Sequence, residues 1–190
     1  MYEVELKVPA SGALETVRKR LEARGAEHLG AVVQEDTYYD APHRTFAETD
    51  EALRVRRETI RGDHADEPGG ESRLTYKGPL VEAASKTRTE HETAVDDGEA
   101  VHAALTKLGF EPAAVVRKER DRYALSGYTI TLDAVDDAGE FVEVEADAAE
   151  EADIDAVREG AIEVLERLGL DPEDQLRTSY LELVIASREE

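Results

Sequence analysis

Three charged residues alternate with apolar residues close to the N-terminus, in the segment Glu3-Val4-Glu5-Leu6-Lys7. Because successive side chains of a β-strand point to opposite faces, Glu3, Glu5 and Lys7 would share one face of a strand. Two carboxylates beside an ammonium group could hold a divalent cation together with an anionic ligand. The same alternation is typical of a half-buried edge strand whose charged side faces water, so the other strands must decide between the two interpretations.

The composition restricts the class of protein, its binding partners and its cellular compartment. The chain has 190 residues, 45 of them acidic and 23 basic, with a formal net charge of −22 and no cysteine. This length suits a single domain spanning 1–190 with its own core, and the lack of cysteine excludes disulfides, thiolate metal sites and a cysteine nucleophile. The negative charge should repel nucleic acid and anionic membranes. Since neither a signal peptide nor a membrane-spanning apolar run is recognisable, we expect a cytoplasmic protein.

The basic residues are strongly biased towards arginine, with 17 arginines and six lysines. Abundant Asp and Glu with few lysines indicate adaptation to a high-salt cytoplasm, where screening relieves the repulsion between like charges. We therefore hypothesise that the protein is halophilic.

The periodicity of apolar residues predicts mostly strands, with a few helices. The predicted strands cover 2–8, 31–39, 52–59, 72–77, 87–95, 115–125, 128–135 and 140–146. The predicted helices are one that is capped by Ser11 and ended by Gly25, and three that cover 97–108, 154–168 and 178–186. Residues 62–70 have no apolar periodicity and form a loop, either a lid or a passive insertion. We expect an α+β fold in which eight antiparallel strands close into a barrel, with helices packed outside, because closure removes exposed sheet edges.

Seven of the predicted strands carry charges on one face and aliphatic residues on the other. If helices cover the aliphatic faces, the charged faces converge on the lumen, which is costly unless the charges pair or hold ligands. The acids of this set are Glu3, Glu5, Glu90, Glu92, Asp133, Glu143 and Glu145, and the bases are Lys7, Arg54, Arg56, Lys77, Lys86, Arg88, Lys118 and Arg120. Arginine and lysine bind phosphate oxygens, and clustered carboxylates bind Mg²⁺ or Mn²⁺. The lumen is therefore predicted to bind a polyphosphate together with metal ions.

These motifs resemble the CYTH superfamily, also called the triphosphate tunnel metalloenzymes, over nearly the whole chain. The hallmark Glu3-x-Glu5-x-Lys7 is followed in order by LRVR at 53–56, LTYK at 74–77, KER at 118–120, LD at 132–133 and FVEVE at 141–145. The segments QEDTYYD at 34–40 and SYLEL at 179–183 are similar to the class IV adenylate cyclase branch. The resemblance implies an eight-stranded antiparallel tunnel and often a homodimer.

The resemblance also implies roles for individual residues. The implied metal ligands, for Mg²⁺ or Mn²⁺, are Glu3, Glu5, Asp133, Glu143 and Glu145. The implied triphosphate-binding residues, which we call the phosphate clamp, are Lys7, Arg54, Arg56, Lys77, Lys118 and Arg120. Lys86 and Arg88 are further candidates for substrate binding, although they could instead pair with Glu90 and Glu92.

The activity implied by the resemblance is metal-dependent chemistry on a triphosphate such as ATP. A class IV adenylate cyclase would convert ATP to cyclic AMP and pyrophosphate. A triphosphatase would use the same site to direct water at the terminal phosphorus of thiamine triphosphate, inorganic triphosphate or a nucleoside triphosphate. A third possibility, a protein that only binds polyphosphate, agrees less well with so many candidate metal ligands. No histidine is placed on the charged faces as a general base.

Overall fold

The structure is a computed structural model that describes residues 2–61, 70–82 and 87–189. Its strands are β1 (Tyr2–Pro9), β2 (Glu27–Asp40), β3 (Ala52–Ile60), β4 (Glu71–Glu82), β5 (Thr87–Val95), β6 (Glu111–Leu125), β7 (Tyr128–Val135) and β8 (Gly139–Ala148). Its helices are α1 (Leu14–Ala23), α2 (Phe46–Thr49), α3 (Gly98–Lys107), α4 (Ile154–Arg167) and α5 (Tyr180–Glu189). Two short 3₁₀ turns, Glu151–Asp153 and Pro172–Asp174, flank α4.

The eight strands form a closed barrel in the order β1-β5-β4-β3-β2-β6-β7-β8, with every neighbouring pair antiparallel. This confirms the predicted α+β barrel. β2 begins earlier than predicted because a register shift between His28 and Gly30, where Gly30 has a φ of 118°, lets it continue along β6. The predicted cap by Ser11 is wrong, since Ala13 precedes α1 and no side chain caps it. Nearly all of the loop at 62–70 lies outside the described residues.

The main hydrophobic core lies outside the barrel, between its wall and two helices. Alternate residues of β1 and β8 point outwards, such as Leu6, Val142 and Val144, each at most 1% exposed. They pack with Leu21 of α1 and Leu165 of α4 in one cluster. Full burial of such a side chain is worth about 1.5–3 kcal/mol. The aliphatic faces are therefore covered from outside, which leaves the other face of each strand to the lumen.

The opposite side of the barrel is covered more thinly. Helix α3 lies over β3 and β4, yet none of its residues is buried. Its attachment includes a hydrogen bond of 2.7 Å between the Tyr39 hydroxyl on β2 and Nδ1 of His102. Leu108, which follows α3, is 69% exposed. The helices therefore protect the two halves of the barrel unequally.

None of the described helices is both long and apolar enough to cross a membrane.

Candidate active site

The lumen of the barrel contains a cavity of about 410 Å³ that is lined mainly by charged side chains. Inward-facing residues alternate with the outward-facing core residues along each strand, as the twofold periodicity of a strand requires. The lining includes the predicted residues Glu3, Glu5, Lys7, Arg54, Arg56, Lys77, Arg88, Glu90, Glu92, Lys118, Arg120, Glu143 and Glu145. Asp133 is fully buried and reaches this site through its bond to Arg120. Lys86 lies outside the described residues.

Three of the predicted metal ligands form a cluster. Oxygen atoms of Glu5, Glu143 and Glu145 all lie within 4.8 Å of one another. The cluster follows from strand pairing, since Glu5 of β1 lies directly opposite Glu145 of β8. Burial, together with the charges of nearby carboxylates including Glu3 and Glu143, raises the pKa of Glu145 to about 8. A divalent cation would relieve this crowding of negative charge, and an all-oxygen donor set suits Mg²⁺ or Mn²⁺.

The other two predicted ligands are engaged elsewhere. Glu3 accepts a hydrogen bond of 2.7 Å from Nζ of Lys77, which also pairs with Glu90 at 2.6 Å. Asp133 accepts a bond of 2.7 Å from Nε of Arg120, whose guanidinium also contacts Glu143 of the cluster. Among the described residues, the structure therefore places Glu3 and Asp133 outside the three-carboxylate cluster, where they hold cations of the phosphate clamp.

A buried aspartate that the sequence reasoning missed holds another part of the clamp. Asp36 of β2 is 1% exposed and accepts bonds of 2.7 and 2.8 Å from Arg56 and one of 3.5 Å from Arg54. Burial alone would raise the pKa of Asp36, but Arg56 and Arg54 hold it well below its usual range. The signal was present, because Gln34, Asp36 and Tyr38 alternate on one face of β2.

Two lysines of the clamp have few carboxylate partners. Lys7 and Lys118 are 2% and 3% exposed. Within the described parts of the chain, no carboxylate forms an ion pair with Lys7, and Lys118 pairs only with Asp36, at 4.0 Å. Burial, with Arg120 and Arg56 nearby, lowers the pKa of Lys118 to about 7. An anionic ligand would therefore supply the counter-charge that these two ammonium groups lack.

Arg88, by contrast, is tied to the chain itself. This buried side chain donates a bond of 2.8 Å to the backbone carbonyl of Asp50, the residue in left-handed conformation that ends α2. Glu92 accepts bonds of 2.9 Å from Thr75 and from Arg73. Arg88 and Glu92 thus line the cavity, and the hydrogen bonds described for them go to neighbouring residues.

The sequence reasoning also missed a polar group in the lumen. Glu58 of β3 accepts a bond of 2.6 Å from Gln34 and pairs with Arg122 at 3.2 Å. All three residues line the cavity. Glu58 follows the same alternation as Arg54 and Arg56 on β3, and all three residues lie within the predicted strands 31–39, 52–59 and 115–125. The alternation along these predicted strands was therefore the signal that could have found them.

A closed β-barrel with a cation-lined, carboxylate-bearing lumen defines the class of protein. Residues 1–180 match the model of the CYTH domain. The chain is 35% identical over 183 residues to a Methanocaldococcus jannaschii protein named "Putative adenylate cyclase", a match that covers 96% of this chain and 98% of that one. The chain belongs to the CYTH family.

Solved structures show the same architecture. The Pyrococcus horikoshii OT3 protein PH1819 superposes with a TM-score of 0.87 at 36% identity, covering 98% of this chain and 99% of that one. A Hippeastrum protein described as a "putative adenylyl cyclase" with a dominant triphosphatase activity superposes with a TM-score of 0.65 at 16% identity, covering 97% of this chain and 95% of that one. At that identity the second likeness concerns the fold alone.

Proposed function

We propose that the lumen is a metal-dependent active site for a triphosphate, and that the reaction converts ATP to cyclic AMP and pyrophosphate. One observation above the others supports a metal-dependent site for a triphosphate. The three-carboxylate cluster of Glu5, Glu143 and Glu145 shares one cavity with buried cations whose charge is incompletely matched, notably Lys7 and Lys118. A metal bound to a polyphosphate satisfies both sets of charges at once.

The carboxylate cluster would hold Mg²⁺ or Mn²⁺, which would polarise phosphoryl oxygens when bound. Lys7 and Lys118 would bind phosphate oxygens through their ammonium groups. Arg56 and Arg120, oriented by Asp36 and Asp133, would present fixed donors to the same chain of phosphates. These cations would stabilise the negative charge that develops on pyrophosphate as the ribose 3′-oxygen attacks the α-phosphorus in line.

A triphosphatase is the second candidate function. The lining of the cavity contains many cationic side chains that can bind phosphates. The same side chains would serve equally well if water attacked the terminal phosphorus. The Hippeastrum protein offers a precedent for a triphosphatase on this fold. The two reactions differ in the phosphorus atom that is attacked, so the products separate them.

The proposal is tested by incubating the purified protein with Mg²⁺ or Mn²⁺ and ATP, thiamine triphosphate or inorganic triphosphate, and identifying the products. Cyclic AMP with pyrophosphate supports the cyclase, and orthophosphate supports the triphosphatase. Glu5→Gln should abolish either activity and leave the circular dichroism spectrum unchanged. Glu163→Gln is the matched control, since this glutamate lies exposed on α4. Full metal-dependent turnover by Glu5→Gln would refute the assignment of the site, and no turnover of any triphosphate would refute the enzymatic function.

A further inference from the structure

The cations of the phosphate clamp fall into two groups. Four are fixed by close carboxylates: Lys77 by Glu3 and Glu90, Arg54 and Arg56 by Asp36, and Arg120 by Asp133 and Glu143. Lys7 and Lys118 have no comparable partner among residues 2–61, 70–82 and 87–189. A buried ammonium group without a counter-charge is costly, so something else must stabilise these two.

Both lysines share one aromatic ring. Nζ of Lys7 lies 4.3 Å from the centroid of the Tyr180 ring, and Nζ of Lys118 lies 4.9 Å from it. A cation this close to an aromatic ring is attracted by the electron density of the ring face, and the attraction grows when water is excluded. Tyr180 is 6% exposed, so these contacts are largely desolvated.

The hydroxyl of the same tyrosine reaches a third cation indirectly. It donates a hydrogen bond of 2.8 Å to Oδ2 of Asp133, the carboxylate that also holds Arg120. The ring itself is fixed by Phe141, with centroids 5.2 Å apart and planes tilted by 56°. Tyr180 thus has a locked position from which it contacts Lys7, Lys118 and Asp133.

We infer that Tyr180 is a positioning residue of the phosphate clamp, which holds the ammonium groups of Lys7 and Lys118 in place without neutralising them. This inference rests on the proposed binding of a triphosphate in the lumen. A carboxylate in the same place would compete with the phosphate for both lysines, whereas an uncharged ring does not. Tyr180 is the first residue of α5, so this helix brings the ring to the lumen.

The test compares two substitutions that separate the ring from the hydroxyl. Binding of inorganic tripolyphosphate is measured by calorimetry in EDTA, which prevents metal-dependent turnover. Tyr180→Leu removes the ring, and its Kd should rise about tenfold. Tyr180→Phe keeps the ring and should bind within about threefold of the wild type. Val184→Ala is the packing control: Val184 is buried on the same helix, in the cluster that contains Tyr180, so its loss should lower Tm without changing Kd.

A spectroscopic measurement reports the contact directly. The chain has six lysines, so ¹³C-lysine labelling gives a simple spectrum. The ε-methylene protons of Lys7 and Lys118 should be shifted upfield by the ring in the wild type and in Tyr180→Phe. Absence of these shifts in the folded wild type would overturn the inference even if Tyr180→Leu failed to fold.

The outcomes distinguish the inference from the proposed function. If Tyr180→Leu binds tripolyphosphate as tightly as the wild type, or if Tyr180→Phe loses as much affinity as Tyr180→Leu, the ring does not position the lysines and the inference is wrong. If the wild type binds tripolyphosphate neither in EDTA nor with Mg²⁺, the proposed function fails and the inference falls with it.

Discussion

Replacing Lys118 by methionine should remove triphosphate binding and yet stabilise the fold. Burial, with Arg120 and Arg56 nearby, lowers the pKa of Lys118 from 10.5 to about 7. Since one pKa unit corresponds to about 1.4 kcal/mol, keeping this amine charged in the fold costs about 5 kcal/mol. The pKa of about 7 already includes the attraction of Asp36, so only the loss of the contact with the Tyr180 ring offsets part of that gain, by about 2 kcal/mol. We expect Lys118→Met to be more stable than the wild type by about 2–3 kcal/mol near pH 6.5.

The pH dependence of the stability difference shows whether the buried charge of Lys118 is its cause. The unfolded chain keeps the Lys118 proton up to about pH 10.5, whereas the folded chain loses it near pH 7. Between these values the unfolded state binds more protons, so the cost is complete below pH 7 and fades as the pH rises to 10.5. Urea unfolding at pH 6.5, 8 and 9.5 should therefore show an advantage for Lys118→Met that shrinks with pH. In thermal unfolding at pH 6.5 the advantage should appear as a rise in Tm of about 5 °C.

Lys77 provides the matched control, because it is a second cavity lysine in the opposite electrostatic situation. Its ion pairs with Glu3 and Glu90, at 2.7 and 2.6 Å, hold the pKa of Lys77 above its usual range although burial opposes this. Lys77→Met should leave those carboxylates unpaired and destabilise the protein by about 3 kcal/mol. The reasoning would be refuted if Lys118→Met were less stable than the wild type at pH 6.5, or if its advantage did not change with pH.

Two further predictions concern the carboxylates of the site. Because the pKa of Glu145 is raised to about 8, its proton competes with a metal, so the affinity for Mn²⁺ should increase about tenfold per pH unit from pH 6 to 8. Calorimetric titration should show this slope in the wild type, and a slope that persists unchanged in Glu145→Gln would contradict it. Asp36→Asn should destabilise the fold by about 3 kcal/mol in urea and weaken tripolyphosphate binding, since Arg54 and Arg56 lose their shared counter-charge. Glu35→Gln, on the exposed face of the same strand, should change neither quantity, and equal effects of the two substitutions would exclude a specific role for Asp36.

The barrel could be predicted from the chain because its strands obey a simple twofold alternation. The ranges 87–95 and 128–135 coincide with the observed strands β5 and β7. Aliphatic residues on one face and charges on the other also indicated which face would line the lumen. Short-range signals were less reliable, since the four-residue helix α2 was not predicted and the cap by Ser11 was wrong.

The pairing of charges inside the lumen could not be predicted in the same way. Which acid meets which base depends on strand register around the closed barrel, as with Glu3 on β1 and Lys77 on β4. Alternation assigns Asp133 and Glu143 to the lumen but does not say that Asp133 binds Arg120 and the Tyr180 hydroxyl. The place of Tyr180 depends on where α5 docks, which no local pattern specifies. The role of the loop at 62–70, as a lid or a passive insertion, and the role of Lys86 in substrate binding stay predictions.

The unequal covering of the barrel divides it into a firm wall and a compliant one. β1 and β6–β8 are backed by the main core and carry the three-carboxylate cluster with Lys7, Lys118 and Arg120. β3 and β4 carry Arg54, Arg56 and Lys77, and they are backed by α3, which buries none of its own residues. Local opening costs least where few apolar contacts are lost. The carboxylates that would hold a metal thus lie on the wall that resists movement. The wall that carries Arg54 and Arg56 would be the one that adjusts to the size of a bound molecule.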